Sequence, residues 1–224
     1  MRRPDFKRPL LQVAIDLTDL KEALRIASEV YSAGADIIEA GTPLIKSTGI
    51  KCIKVFREEF PDAIILADMK IVDASALEVQ MAANAGADIV TIMGFIDNSS
   101  IAMAIEEARR NNILIQADLM YVVNVVKRAK ELVNLGVDVI GLHVGVDVQK
   151  LKGISIADIC YLVKEVAERI NKPISVAGGL NKYTVESMVK AGAKIIVVGS
   201  AIVRSNNPRK ATREILELLQ RVQK

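Results

Sequence analysis

Four phrases in the sequence repeat one another: Ala33-Gly-Ala-Asp-Ile-Ile-Glu-Ala-Gly41, Ala85-Gly-Ala-Asp-Ile-Val-Thr-Ile-Met-Gly94, Leu135-Gly-Val-Asp-Val-Ile-Gly-Leu-His143 and Ala191-Gly-Ala-Lys-Ile-Ile-Val-Val-Gly199. They recur at intervals of roughly 50–56 residues, too long for a solenoid repeat but right for two βα units. Each phrase carries a glycine suited to ending a helix, then an apolar run suited to a strand. Strands are therefore expected near 36–41, 88–94, 137–143 and 194–199.

A second set of apolar runs falls between them: Leu11 to Ile15, Ile64 to Ala67, Ile113 to Ala117 and Ile174 to Ala177. Helical periodicity fills the gaps, as in Ile101, Ala104, Ile105 and Ala108, or Ile215, Leu218 and Leu219. Eight strand–helix alternations over 224 residues, with no linker, predict a single (β/α)8 TIM barrel over residues 1–224, with 1–10 as an N-terminal extension. Half of the residues are hydrophobic (51%) but few are aromatic (4%), so Val, Ile, Leu and Ala must fill the interior, as in a parallel sheet covered by helices. A doubly wound open sheet is the alternative, but no Gly-x-Gly-x-x-Gly follows the first strand.

The formal charge is only +3, with Lys and Arg dispersed among acids, so nucleic-acid binding is not expected. Met1 to Arg8 is basic, but Asp16 and Asp19 interrupt the next apolar run too early for a signal peptide, and no run reaches the length of a membrane span. Cys52 and Cys160 have no metal or redox spacing, which suits reduced thiols and a cytoplasmic location.

In this fold the chemistry sits at the C-terminal ends of the strands. Those ends carry Asp16, Glu39, Asp68 with Lys70, Met93 with Gly94, Asp118, His143, Gly178 with Gly179, and Gly199 with Ser200. The densest is Asp68-Met-Lys70-Ile-Val-Asp73. Strand alternation puts Leu66, Asp68 and Lys70 on one face, and Asp68 and Asp73 are expected to keep Lys70 protonated, ready to stabilise negative charge. Taken alone, the motif also fits a surface ion pair.

Asp16, Glu39 and Asp68 end three consecutive strands, and neighbouring strands lie about 4.8 Å apart. Carboxylates that close repel unless cations hold them. Lys70 supplies one charge, and a hard divalent ion such as Mg2+, held through Glu39 and Asp68, supplies more. The alternative is an acidic pocket satisfied by lysine and water. His143, the only histidine, is placed for proton transfer at the barrel mouth. The glycine sites after the seventh and eighth strands, Gly178-Gly179 and Gly199-Ser200, fit an anion held by backbone N–H groups, so a phosphorylated substrate is expected. Asp97, Asn98 or Ser99 is expected to cap a helix, Asp147 to order a loop, and Met120 to Asn124 to serve packing rather than the site.

These residues carry a resemblance. The phrases Leu11-Gln-Val-Ala-Ile-Asp16, Glu39-Ala-Gly-Thr-Pro, Asp68-Met-Lys70-Ile-Val-Asp73, His143-Val-Gly-Val-Asp147-Val-Gln149 and Ala177-Gly-Gly-Leu180 resemble the orotidine monophosphate decarboxylase superfamily and, within it, the 3-hexulose-6-phosphate synthase family. The resemblance covers almost the whole chain. It implies a reversible aldol condensation of ribulose 5-phosphate with formaldehyde. Glu39 and Asp68 would hold Mg2+, Lys70 would assist an enediolate, His143 would move the C1 proton, and Asp16 would contact substrate hydroxyls. It also implies a homodimer in which Asp73 crosses into the partner's site.

The chain departs from that pattern in places. Ile71 stands where threonine is frequent, and Ser200 where Gly or Arg is, which leaves the phosphate to backbone groups and Ser200. The related 3-keto-gulonate-6-phosphate decarboxylases share Glu39, Asp68, Lys70, Asp73 and His143 but usually carry Arg where this chain has Val146, which favours the aldolase. A sugar-phosphate-binding barrel without catalysis is the reading from another class.

Overall fold

The computed structural model describes residues 2–145 and 156–222. Val146, compared above with an Arg of the decarboxylases, Asp147, expected to order a loop, and Gln149 of the resemblance lie outside the described residues. The repeated phrases each do the same structural work. Gly34, Gly86, Gly136 and Gly192 all adopt positive φ, between 98° and 113°, a conformation that ends the preceding helix and costs any other residue strain. Two residues later, the aspartate of the first three phrases staples neighbouring strands. Asp36 Oδ2 accepts from Leu11 N (2.8 Å), Asp88 Oδ2 from Ile65 N (3.0 Å) and Asp138 Oδ2 from Ile115 N (3.0 Å). Each such charge-assisted bond is worth about 1.5–3 kcal/mol. Lys194 replaces the aspartate in the fourth phrase and keeps only the backbone half, Lys194 N donating to Ile174 O at 2.8 Å.

The strands are β1 (Leu10–Ile15), β2 (Ile37–Ala40), β3 (Ile64–Ile71), β4 (Ile89–Met93), β5 (Leu114–Asp118), β6 (Val139–His143), β7 (Ile174–Ala177) and β8 (Ile195–Val198). They pair in parallel, in sequence order, into a closed barrel in which β8 returns to β1. The eight alternations read from the sequence are thus a single (β/α)8 barrel. Helices α1 (Leu20–Ala33), α2 (Thr42–Thr48), α3 (Lys51–Glu59), α4 (Ser75–Asn84), α5 (Asn98–Asn111), α6 (Val125–Leu135), α7 (Ile156–Ala167), α8 (Val185–Lys190), α9 (Ser200–Val203) and α10 (Pro208–Val222) surround it. Their apolar stripes pack on the outer faces of the strands, as Ile101, Ala104, Ile105 and Ala108 of α5 do. The cap of α5 is Asp97, which accepts from Ser99 N at 2.8 Å.

Inside the barrel, the strand register sorts the inward side chains into levels contributed by alternate strands. Ile37, Ile89, Val139 and Ile195 form an apolar level, closed from below by Leu10, Leu114 and Phe6. Above them lie Gln12, Leu66, Gln116 and Ser175, then Glu39, Thr91, Gly141 and Val197. The interior therefore changes from hydrocarbon to polar groups on the way to the C-terminal mouth. Arg2 ties the N-terminal segment across the opposite end, its backbone N donating to Asp88 Oδ1 at 2.8 Å.

Candidate active site

The C-terminal mouth opens into a cavity of about 810 Å³. Its lining includes Asp16, Glu39, Asp68, Lys70, His143, Gly178, Gly179, Gly199 and Ser200, all expected from the sequence, together with Asp118. Asp73 does not line it; its side chain lies on the exposed loop after β3.

The end of β3 departs from a regular strand. Its register to β4 shifts between Ala67 and Ile71, and Lys70 takes φ 49°, a left-handed conformation that is strained for a residue with a long side chain. Thr91 on β4 fixes this bulge: its Oγ1 accepts from Lys70 N (2.9 Å) and donates to Asp68 Oδ1 (2.8 Å). Asp68 and Lys70 are thereby aimed together at the mouth. Lys70 Nζ lies 3.0 Å from Asp68 Oδ2 and 3.0 Å from Asp118 Oδ2. The second carboxylate beside Lys70 is therefore Asp118, not Asp73 as the sequence suggested. The bulge turns Lys70 inward, whereas Asp73 follows after the chain has left the barrel.

Asp118 is the centre of the arrangement. The same Oδ2 that meets Lys70 is 2.9 Å from His143 Nδ1, and Oδ1 accepts from Met120 N at 2.8 Å. Burial alone would raise its pKa, but the bond and charge of His143, the Lys70 ammonium and the Met120 N–H hold it down to about 2. An ionised Asp118 accepts from Nδ1–H of His143 and leaves Nε2 as the atom available for proton transfer. Burial would likewise lower Lys70, but Asp68 and Asp118 outweigh it and raise its pKa, so the ammonium is locked on.

The other carboxylates are held the opposite way. Glu39 is buried, accepts from Gln12 Nε2 at 2.6 Å, and has its pKa raised well above the usual range by burial, then by the charges of Asp68 and Asp16. Asp16 is raised by burial and by Asp68, against the pull of Lys70 and His143. It leans over Gly41, where an added Cβ would come within 2.9 Å of the backbone Ile15 O as well as 2.2 Å of Asp16 Oδ1, so this position requires glycine. Asp68 also accepts from Thr42 Oγ1 at 2.7 Å. No cluster of three or more His, Cys, Asp or Glu side chains is gathered as a metal cage among the described residues. Glu39 and Asp68 still fit a hard cation, because they are oxygen donors whose mutual repulsion such a charge relieves. Mg2+ characteristically takes one or two carboxylates, with water and substrate oxygens completing its shell.

Across the mouth, Gly178 (φ 119°) and Gly179 (φ 67°) follow β7, and Gly199-Ser200 leads from β8 into the short helix α9. Backbone N–H groups at such turns suit an anion. Arg204, at the end of α9, joins the lining on this side. Met120 and Tyr121 also line the cavity, in contrast to the packing role expected of them; Tyr121 takes φ 65°.

Comparison with known proteins follows this geometry. The sequence model of the Orotidine 5'-phosphate decarboxylase / HUMPS family matches residues 9–215. The chain is 38% identical over 205 residues to the 3-hexulose-6-phosphate synthase of Mycobacterium gastri, covering 92% of this chain and 97% of that one. A crystal structure of 3-hexulose-6-phosphate synthase superposes with a TM-score of 0.88 at 38% identity, covering 93% of this chain and 99% of the other. The 3-keto-L-gulonate-6-phosphate decarboxylase of Vibrio cholerae superposes with a TM-score of 0.85 at 27% identity, covering 96% of this chain and 99% of the other.

Proposed function

The chain belongs to the Orotidine 5'-phosphate decarboxylase / HUMPS family, and within it we propose that it is a 3-hexulose-6-phosphate synthase, an aldolase that joins ribulose 5-phosphate to formaldehyde. The observation that carries the reading is the sharing of Asp118 Oδ2 by Lys70 Nζ and His143 Nδ1. It puts a base and a permanent cation on one small volume, which is what proton abstraction beside a carbonyl requires.

In the proposed reaction, the phosphate rests on the backbone at Gly178, Gly179, Gly199 and Ser200, and Asp16 accepts from substrate hydroxyls. His143 Nε2 takes a proton from C1 of the ketose while the Lys70 ammonium stabilises the negative charge that develops on the carbonyl oxygen. The resulting enediolate carbon attacks formaldehyde. The new C–C bond places an alkoxide on the added carbon, which takes back a proton from His143, giving the six-carbon ketose phosphate. Glu39 and Asp68 would hold Mg2+, which when bound supplies positive charge to the enediolate oxygens.

A homodimer completes the proposal. Val72 and Phe95 on the loops after β3 and β4, Leu77 and Met81 on α4, and Met103 on the adjacent α5 expose apolar side chains. Asp73 follows Val72 in this region, and in the dimer we propose a second copy docks there and receives Asp73 at its own mouth. Among the described residues no helix is long and apolar enough to cross a membrane. The cytoplasmic location we propose rests on Cys52 and Cys160, both free thiols.

The discriminating experiment is turnover by the purified protein of ribulose 5-phosphate with formaldehyde, set beside 3-keto-gulonate 6-phosphate alone. Consumption of the second without the first would move the assignment to the decarboxylase.

A further inference from the structure

Two buried acceptors in the barrel have no hydrogen-bond donor among the described residues, Gln12 Oε1 and Gln116 Oε1. Gln12 is 1% and Gln116 6% exposed, and both line the cavity. They belong to one level of the barrel, on β1 and β5, which stand opposite each other among eight strands, so the two side chains enter the cavity from opposite walls. Ser175 on β7, 1% exposed, shares the level and brings a hydroxyl. The apolar level of Ile37, Ile89, Val139 and Ile195 seals it from below.

The orientation of Gln12 is fixed by chemistry. With Glu39 ionised, as it is when it holds a cation, Gln12 Nε2 donates to Glu39 Oε2 at 2.6 Å, and a flipped amide would set two acceptors against each other. Gln116 makes no side-chain hydrogen bond among the described residues, so its amide is available to a guest. Native interiors seldom leave such groups unpaired without an occupant.

We infer that this level is a subsite for a small neutral hydroxyl compound, whose O–H groups donate to Gln12 Oε1 and Gln116 Oε1 and whose oxygen accepts from the Ser175 hydroxyl. The level itself, Gln12, Leu66, Gln116 and Ser175, carries no charged side chain, and Val197 of the level above packs beside Leu66, so it favours a small neutral guest over an ion. Two molecules share the required chemistry. One is water, which typically makes about three such bonds when buried. The other is the hydrate of a one-carbon aldehyde, with two O–H groups on one carbon, which releases one water to give the free aldehyde that the enediolate attacks; this source rests on the synthase reading.

The test uses Gln116→Met, which keeps length and removes the acceptor, in the Mg2+-loaded protein. Four quantities are read: KM for formaldehyde, KM for ribulose 5-phosphate, C1 proton exchange of ribulose 5-phosphate in D2O without aldehyde, and the electron density at the floor of the barrel. If the hydrate is the guest, KM for formaldehyde rises about tenfold or more while the other two constants hold. If water is the guest, all three hold, and the crystal structure of the unsubstituted protein shows a water within hydrogen-bond distance of both amide oxygens. A dry floor with the amides turned to protein partners overturns the inference, as does an equal loss on both substrates and on exchange. Absence of C1 exchange in the unsubstituted protein would instead remove the synthase reading, while the electron density still decides the subsite.

Discussion

Asp118 Oδ2 lies 2.9 Å from His143 Nδ1, a contact that orients the ring of the chain's lone histidine. Replacing the carboxylate by an amide keeps the shape but lets the ring adopt either tautomer and leaves Lys70 with Asp68 alone. Asp118→Asn is expected to slow C1 proton exchange by about 10²–10⁴-fold, with KM for the sugar phosphate little changed. Exchange followed by NMR, set beside steady-state kinetics, checks this; exchange at the parental rate would remove Asp118 from the proton-transfer machinery.

The same residue predicts an acid limb of stability. The folded pKa of Asp118 is lowered to about 2 from 3.8, so its contribution is present above about pH 4 and is lost as the pH falls through about 2. The gap corresponds to about 2 kcal/mol. Chemical denaturation of the parent and Asp118→Asn should show a stability difference at pH 5 that shrinks as the pH falls below 4.

Glu39 has the opposite sign. A carboxyl whose folded pKa is raised penalises the fold as pH rises above its ordinary value of 4.5, and the penalty grows until the folded pKa is reached. Glu39→Gln removes it. In chelator, the variant should melt a few degrees higher than the parent, with a larger difference at pH 8 than at pH 5. Its turnover should require far more Mg2+. An unchanged metal dependence would take Glu39 out of the coordination shell.

Lys70 joins two buried carboxylates, so its loss carries both a chemical and a structural cost. Lys70→Ala should fold, lose detectable turnover, and unfold at a lower denaturant midpoint, by about 2–4 kcal/mol, because Asp68 and Asp118 are left without their cation. Retained turnover would refute its role in stabilising the enediolate.

The positions of these groups were readable in the sequence to different depths. Barrel architecture follows from four Gly-x-Asp or Gly-x-Lys phrases, because each one ends a helix and sets a strand; Asp36, Asp88 and Asp138 then tie that strand to its neighbour. Asp16, Glu39, Asp68, Lys70 and His143 were legible because strand ends in this fold face one mouth. The role of Asp118 was not. It ends β5 in phase with Gln116, a visible signal, but its link to Lys70 spans 48 positions and depends on the bulge at Ala67–Ile71. Local alternation cannot predict that bulge. The same cause misdirected the pairing of Lys70 towards Asp73, its near neighbour in sequence.

Asp73 tests the dimer. If it serves the partner's mouth, co-expression of Lys70→Ala with Asp73→Ala should restore part of the activity that each homogeneous variant lacks, since a mixed dimer assembles one intact site. Met81→Lys, on the exposed apolar face of α4, should shift the protein towards monomer in analytical ultracentrifugation and lower turnover in parallel. A fully active monomer would place Asp73 outside the chemistry.

The most direct measurement is an NMR assay of the purified protein with ribulose 5-phosphate and formaldehyde, run with Mg2+ and again with a chelator. The predicted result is a six-carbon ketose phosphate that forms only with metal, together with exchange of the C1 proton into D2O in the absence of formaldehyde. Neither product nor exchange, with both substrates present and the protein folded, would contradict the assignment of Lys70, Asp118 and His143 as an aldolase site.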